Sequence, residues 1–234
     1  MNFSSLWVGP PMTKVQETCL SSFVYYGHKI YLYVYDLDMD VPNGVIKKDA
    51  RDITSEDNLL LVGGYYAQFS DFFRYALLSK EDTIWVDADT LCLKDDLPIF
   101  NKEYVFSYGT AEKLFISSPL KMPKDSLLAY DLLYEAANMS FSTQTEWARV
   151  GPFLFDKLVK KHDLTHFSVD PSQLLGISYL DWDLFWKPQE FEHAMRRCEV
   201  AYTASLFTSA IDVPDRNELP KNTAIEYFHA KFVQ

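Results

Sequence analysis

The run Thr83-Ile84-Trp85-Val86, broken off by Asp87-Ala88-Asp89-Thr90, constrains the fold of this chain more than any other stretch. A short block of β-branched and aromatic residues bounded by charge reads as a buried strand. Strands apolar on both faces belong inside a mostly parallel sheet covered by helices. In open sheets of this class, ligands gather outside the carboxyl ends of the strands. Asp87 and Asp89 are therefore expected at a ligand-binding edge, held in place by the burial of the strand before them.

The rest of the chain supplies matching elements. Ser5-Leu6-Trp7-Val8 reads as a strand stopped by Gly9-Pro10-Pro11, and Thr13 as the cap of a helix over 14–26 that Gly27 closes. Residues 30–35 form a second strand, whereas 36–57 read mostly as loop around the turn Pro42-Asn43-Gly44. After Gly63-Gly64, residues 67–79 carry the broad apolar face of a helix. Tyr104-Val105-Phe106 and Leu114-Phe115-Ile116 read as paired strands, with helices over 126–139, 151–161 and 188–197. Strands alternating with helices over the first part of the chain predict βαβ units. The expectation is one α/β domain over residues 1–234, with a central, mostly parallel sheet and a less regular C-terminal third.

At 234 residues, with 48% hydrophobic and 24% charged content, the chain can bury a core without disulfides or metal staples, and a disordered chain is excluded. Lys and Arg number 22 against 33 Asp and Glu, a formal net charge of -11. That balance argues against a general nucleic-acid binder and leaves room for one local basic pocket. Cys19, Cys92 and Cys198 are far apart and odd in number, which points to a reducing compartment or simply to buried thiols, and the chain reads as cytoplasmic. No basic segment followed by a long apolar run opens the chain, and no apolar stretch approaches the ~20 residues of a membrane span.

Two carboxylates one residue apart at a strand end can share a hard divalent cation, Mn²⁺ or Mg²⁺, which keeps room for water and substrate phosphate. Alone, an Asp-x-Asp triplet is a weak signal. Asp36-Leu37-Asp38, Asp38-Met39-Asp40 and Asp181-Trp182-Asp183 repeat it, and most such triplets are solvated loop. A second constellation adds weight. Asp71 and Arg74 lie three residues apart on the helix before the strand, hence on one face, among Phe, Tyr and Leu. On an open surface such a pair contributes only tenths of a kcal/mol. Near apolar surface each charge needs partners, and an anionic ligand on Arg74 would be one.

Trp7-Val8-Gly9-Pro10, Ser70-Asp71-Phe72-Phe73-Arg74 and the strand ending in Asp87-Ala88-Asp89-Thr90 together resemble the DXD-containing glycosyltransferases of the GT-A fold. The resemblance is greatest to the group around glycosyltransferase family 32, with its capsular-polysaccharide transferases. The large clostridial glucosylating toxins share the spacing between the Asp-x-x-Arg helix and the DXD strand. It extends over most of the chain and is strongest from Leu6 to Leu93. It implies a Rossmann-like nucleotide-diphospho-sugar transferase fold, with residues 1–110 as the nucleotide-sugar half and 111–234 as the acceptor half. Leu6, Trp7 and Val8 would end the first strand, with Trp7 against the base. Asp71 would orient the donor sugar or ribose, and Arg74 would face sugar and diphosphate. Asp87 and Ala88 would lie near ribose and metal, and Asp89 would ligate the metal directly. Gly151-Pro152-Phe153 matches a Gly-Pro turn near the donor sugar. Tyr227-Phe228-His229 matches the segment in which relatives supply a late His to the metal or diphosphate. Two positions depart from the pattern: Glu81-Asp82 stands where a Gly-Gly pair commonly precedes the strand, and Lys231-Phe232 where a Trp commonly follows the His.

The activity so implied is metal-dependent transfer of a sugar from a nucleoside diphosphate sugar, UDP-linked in the common case, to an acceptor hydroxyl with retention of configuration. Asp71, Arg74 and Asp89 would be its catalytic residues, and the acceptor a glycan, a glycolipid, a protein or a modified nucleobase. Two other readings compete. In a phosphohydrolase of the haloacid-dehalogenase type, Asp87 would attack phosphorus and Asp89 would act as general acid/base. That motif normally sits on the first strand, whereas here roughly eighty residues precede it, and Asp212-Val213-Pro214-Asp215 does not match the later Gly-Asp-x-x-x-Asp element. A non-catalytic sugar-nucleotide-binding protein is the other; the presence of Asp71, Arg74, Asp87 and Asp89 together argues against it.

Overall fold

The computed structural model describes residues 1–59, 66–109, 111, 113–140, 149–208 and 216–233; Gly63-Gly64 and Asp212-Val213-Pro214-Asp215 lie outside the described residues. From the amino end, β1 (Asn2–Trp7) leads through Gly9-Pro10-Pro11 into α1 (Lys14–Tyr25). Gln16 Oε1 accepts from both the backbone N and the Oγ1 of Thr13, at 3.2 and 2.6 Å, and so holds the first turn of α1. Gly27, with φ +76°, turns the chain into β2 (Lys29–Val34), which pairs parallel with β1.

Inside the stretch read as loop, β3 (Ile46–Asp49) adds a parallel edge strand to β2. Its Lys47 and Lys48 suit an edge open to water and carry no buried alternation, so pattern alone does not reveal it. The helix α2 (Ala67–Leu78) follows, then β4 (Ile84–Trp85) and β5 (Thr90–Cys92). Between α2 and β4 the turn is made by Glu81 N on Leu77 O at 2.8 Å and Thr83 N on Glu81 O at 3.2 Å, so no glycine pair is needed. The strands β6 (Val105–Gly109) and β7 (Leu114–Lys121) form the expected antiparallel pair. Next come α3 (Leu127–Ser140), an irregular turn at Arg149–Phe153, α4 (Leu154–Lys161), α5 (Pro171–Leu174) and α6 (Phe191–Val200). Finally β8 (Thr203–Ser205) pairs antiparallel with β5, a small sheet absent from the sequence reading, and α7 (Ala224–Phe232) closes the described chain.

The main sheet runs β3-β2-β1-β4-β7-β6, and every strand but β7 points the same way, so the carboxyl ends of β1 to β4 and β6 share one edge. Successive residues of the β4 segment face opposite sides of it, as the pleat requires. Ile84 and Val86 join Phe3, Leu20 and Phe23 beneath α1, while Trp85 joins Phe69, Phe73, Phe106 and Phe155 beneath α2 and α4. Burying a side chain such as Ile84 or Val86 stabilises the fold by about 1.5–3 kcal/mol. That burial is what anchors the Asp87–Asp89 turn. A third cluster, with Phe185, Ala204 and Phe228, packs the C-terminal segment onto Val15 and Cys19 of α1. No helix among the described residues is long and apolar enough to cross a membrane.

Candidate active site

Val86 is the last residue in register with the sheet, its N–H donating to Ser4 O at 3.0 Å. Beyond it the chain turns, and Thr90 N closes back on Asp87 O at 3.0 Å. Asp87 and Asp89 are carried on that turn, at the carboxyl end of β4. Asp87 Oδ1 accepts from Trp85 Nε1 at 2.9 Å and from Arg74 Nη2 at 3.0 Å, while its own N–H donates to Ser118 Oγ on β7 at 3.0 Å.

Arg74 enters from α2 and is almost wholly buried. Its Nη2 also meets Asp71 Oδ1 at 3.0 Å; its Nη1 donates to the carbonyl and hydroxyl of Ser117 at 3.0 and 2.8 Å. The guanidinium lies 5.2 Å from the centre of the Trp85 ring, a cation–π distance. Burial works against the charge of Arg74, but Asp87 and then Asp71 more than offset it, so its pKa is raised and the cation persists. The spacing of Asp71 and Arg74 is therefore a buried, shared ion pair and not a surface one.

Asp71 faces the Gly151-Pro152 turn. A methyl group at Gly151 would lie 2.2 Å from Asp71 Oδ2, so only glycine allows this approach. Burial pushes the Asp71 carboxyl up to about 6, with Arg74 pulling it back and Asp87 adding to the rise. Tyr75 OH also reaches Gly151 O at 3.4 Å, and Pro152 lies within the same irregular turn.

Asp89 is held from the C-terminal segment. Its Oδ2 accepts from both the N–H and the Oγ1 of Thr208, each at 2.8 Å, and its carbonyl accepts from Leu206 N at 3.0 Å. Arg216 Nη2 in turn fixes the carbonyl of Thr208 at 2.6 Å. Burial, then the charge of Asp87, raises the pKa of Asp89 against the two Thr208 bonds.

The donor set fits a hard divalent cation. Asp87 Oδ2 and the second oxygen of Asp89 accept from no other side chain among the described residues, and the two carboxylates repel each other. A cation held by Asp87 and Asp89 would relieve that repulsion and leave room for water and phosphate oxygens. His229 is not brought to this pair. The helix α7 packs on α1, His229 Nδ1 meets Thr18 Oγ1 at 2.8 Å, and burial lowers its pKa. Among the described residues no group of three or more His, Cys, Asp or Glu is placed to hold a metal ion.

The other expected site residues lie along the same edge. Leu6 is buried in the core under α2, Val8 packs against it, and Trp7 is partly exposed with Nε1 donating to Pro10 O at 2.8 Å. Ala88 sits half-buried between the two aspartates. A cavity of about 470 Å³ opens next to Gly9, Pro11 and Met12, with Asp36, Asp38 and Asp40 across it, where β1 and β2 end. Sequence reasoning missed Trp85, Ser117, Ser118 and Thr208 as partners of the charged residues. Trp85 could have been found, because a buried indole N–H needs an acceptor. Two adjacent serines inside the strand Leu114–Lys121 were a second signal. Thr208 comes from 119 positions away and leaves none.

No protein-family model matches the chain, and no curated protein matches it. Among solved structures, one described as "PaToxG Glycosyltransferase" has a TM-score of 0.53 over 100% of this chain and 88% of its own, at 14% sequence identity. The chain thus has the mixed α/β fold of that glycosyltransferase, a mostly parallel six-stranded sheet flanked by helices, in keeping with a GT-A-like architecture.

Proposed function

We propose that the protein is a glycosyltransferase that moves a sugar from a nucleoside diphosphate sugar to an acceptor hydroxyl. The observation that carries this reading is the buried Arg74, held between Asp71 and Asp87 beside the clamped Asp89 at the carboxyl edge of the sheet. When a glycosidic bond to a diphosphate breaks, negative charge builds on the leaving phosphate. Arg74 is already desolvated and fixed by five contacts, so it stabilises that charge with no reorganisation at the moment of reaction. Asp71, wedged against Gly151 and bonded to Arg74, would orient the sugar rather than attack it. Asp87 and Asp89 would hold Mn²⁺ or Mg²⁺, which supplies Lewis-acid stabilisation of the diphosphate. His229 takes no part in this assignment.

The base is assigned to Trp7, with a uridine diphosphate sugar as the donor and retention as the outcome; all three rest on the family resemblance. The donor half, residues 1–110, supplies the charged residues, while Gly151 and Thr208 from the second half set Asp71 and Asp89 in place. A reducing, cytoplasmic setting suits the buried free thiols of Cys19, Cys92 and Cys198.

Incubating the purified protein with Mn²⁺ and a panel of nucleotide sugars tests the reading. Slow hydrolysis of one donor is expected, and Asp89→Ala abolishes it while leaving the circular dichroism native. Phosphate release from p-nitrophenyl phosphate with no nucleotide sugar consumed would overturn it in favour of a phosphohydrolase.

A further inference from the structure

A second cavity, of about 190 Å³, lies on the same edge of the sheet. Its floor includes Gly109, the end of β6, and β6 runs parallel to β4, so this end and the Asp87–Asp89 turn face the same way. Its walls come from the segment between Asp170 and Asp181, from Arg197 on α6 and from Phe207. Phe207 immediately precedes Thr208, the residue bonded to Asp89. Cavity and carboxylates are thus joined by one short segment.

Phe207 has φ +49°, the left-handed region, which a bulky side chain rarely adopts. Its neighbours hold it there. Leu206 is fully buried and bonds Asp89 O through its N–H, and Thr208 bonds Asp89 Oδ2. The turn sends the Phe207 ring to the cavity wall, where it meets the ring of Tyr179 edge to face, with centroids 5.6 Å apart and planes at 82°. The polar lining complements that pair. Asp170 is fixed by Ser172 N and Oγ on one oxygen, at 2.8 and 2.7 Å, which keeps its pKa low and its charge on. Arg197 and Asp181 also line the cavity, and among the described residues neither side chain has a hydrogen bond or an ion pair.

Resting on the glycosyl-transfer reading, we propose that this cavity is the acceptor site and that its occupant is the terminal sugar of a glycan. A sugar ring presents hydroxyls that carboxylates accept from and a guanidinium donates to, and a C–H face that packs on aromatic rings. A single Arg197 in a cavity also lined by Asp170 and Asp181 is unsuited to a phosphate backbone. The polar groups around the aromatic pair do not suit a lipid chain.

The test uses the full chain, Mn²⁺, the donor it hydrolyses, and p-nitrophenyl glycosides of the common hexoses and N-acetylhexosamines as acceptors. One of these glycosides is expected to accept sugar and to give a saturation-transfer NMR signal on the free protein. In Tyr179→Ala and Asp181→Asn, kcat/KM for that acceptor falls at least tenfold, while donor hydrolysis stays within twofold. Transfer unchanged in both variants overturns the assignment, as does transfer only to a protein or a nucleobase with no glycoside bound. Failure of the underlying transferase reading is distinct: the wild-type protein then hydrolyses no nucleotide sugar at all.

Discussion

Replacing Gly151 with alanine places a methyl carbon 2.2 Å from Asp71 Oδ2, 2.7 Å from Cγ and 2.9 Å from Oδ1. All three atoms belong to one carboxyl group, so the group must move as a unit. Reaching an ordinary contact of 3.4 Å requires a shift of about 1.2 Å. The Asp71–Arg74 bond, now 3.0 Å, stretches beyond hydrogen-bonding range under such a shift. Overpacking of a well-filled site costs about 1–3 kcal/mol, and a lost charge-assisted bond about 1.5–3 kcal/mol. Because Arg74 keeps Asp87 and Ser117, a combined destabilisation of about 2–4 kcal/mol is expected. For a chain of this size each kcal/mol lowers Tm by about 2–4 °C, so Gly151→Ala should unfold roughly 5–15 °C early. A displacement of about 1 Å at the sugar-orienting carboxylate should also lower donor hydrolysis about a hundredfold. Thermal unfolding of Gly151→Ala, Asp71→Ala and the double variant separates the clash from a general loss of fit. With the carboxyl removed, the added methyl has nothing to strike, so the double variant should lose at least ~1 kcal/mol less than the two singles combined. Strict additivity, or a Gly151→Ala protein with wild-type Tm and turnover, would refute the claim that these two positions are packed against each other.

Three further expectations follow from the same geometry. Thr208→Val removes one of two donors on Asp89 Oδ2 and should weaken Mn²⁺ binding about 10–100-fold by titration calorimetry in the presence of UDP, with Thr208→Ser restoring it; equal affinity in Val and Ser forms would contradict the clamp. Asp71, whose folded pKa is about 6 against an ordinary 3.8, binds more protons folded than unfolded between those values, so in metal-free protein it makes stability fall by about 3 kcal/mol as pH rises through that window. Asp71→Asn should flatten this descent in urea denaturation measured from pH 4 to 7.5, and parallel curves for the two proteins would rule the assignment out. His229→Ala should leave Mn²⁺ affinity within about threefold, since its imidazole serves Thr18; a tenfold loss would return it to the metal.

The elements readable in the sequence are those whose signal is local. Phe69, Phe72 and Phe73 mark the buried face of α2, and Ile84-Trp85-Val86 marks the β4 strand, because both are decided by apolar side chains within a single element. β3 escapes, since Ile46-Lys47-Lys48-Asp49 lies on an exposed edge where polar residues are tolerated. β5 and β8 escape for another reason. Each is three residues long and exists only through pairing with the other, more than a hundred residues away. The same division runs through the site. Asp71, Arg74, Asp87 and Asp89 announce themselves by spacing, whereas Ser117 and Thr208 are distinguished only by which carboxylate or guanidinium the fold brings them to. His229 misleads because a family pattern assigns a role by order along the chain, while the docking of α7 on α1 decides where the ring goes.

The charges at the strand end argue for an order of events. Asp71 and Asp87 share one guanidinium with Asp89 beside them, so two negative charges stay uncompensated when all are ionised, and the charge of Asp87 adds to the burial that raises the pKa values of Asp71 and Asp89. On the proposed reading, a nucleoside diphosphate would add more negative charge to the same place and be repelled unless a cation were already there. One divalent ion on Asp87 and Asp89 would remove the excess, leaving the fixed charge of Arg74 to act on the diphosphate from where it already lies. UDP binding should therefore be undetectable in chelator and appear with Mn²⁺. In Asp87→Asn the metal requirement should relax, because one of the repelling charges has gone. UDP that binds equally well with chelator and with Mn²⁺ would mean that the carboxylates do not face the diphosphate, and the site would have to be sought elsewhere on the edge.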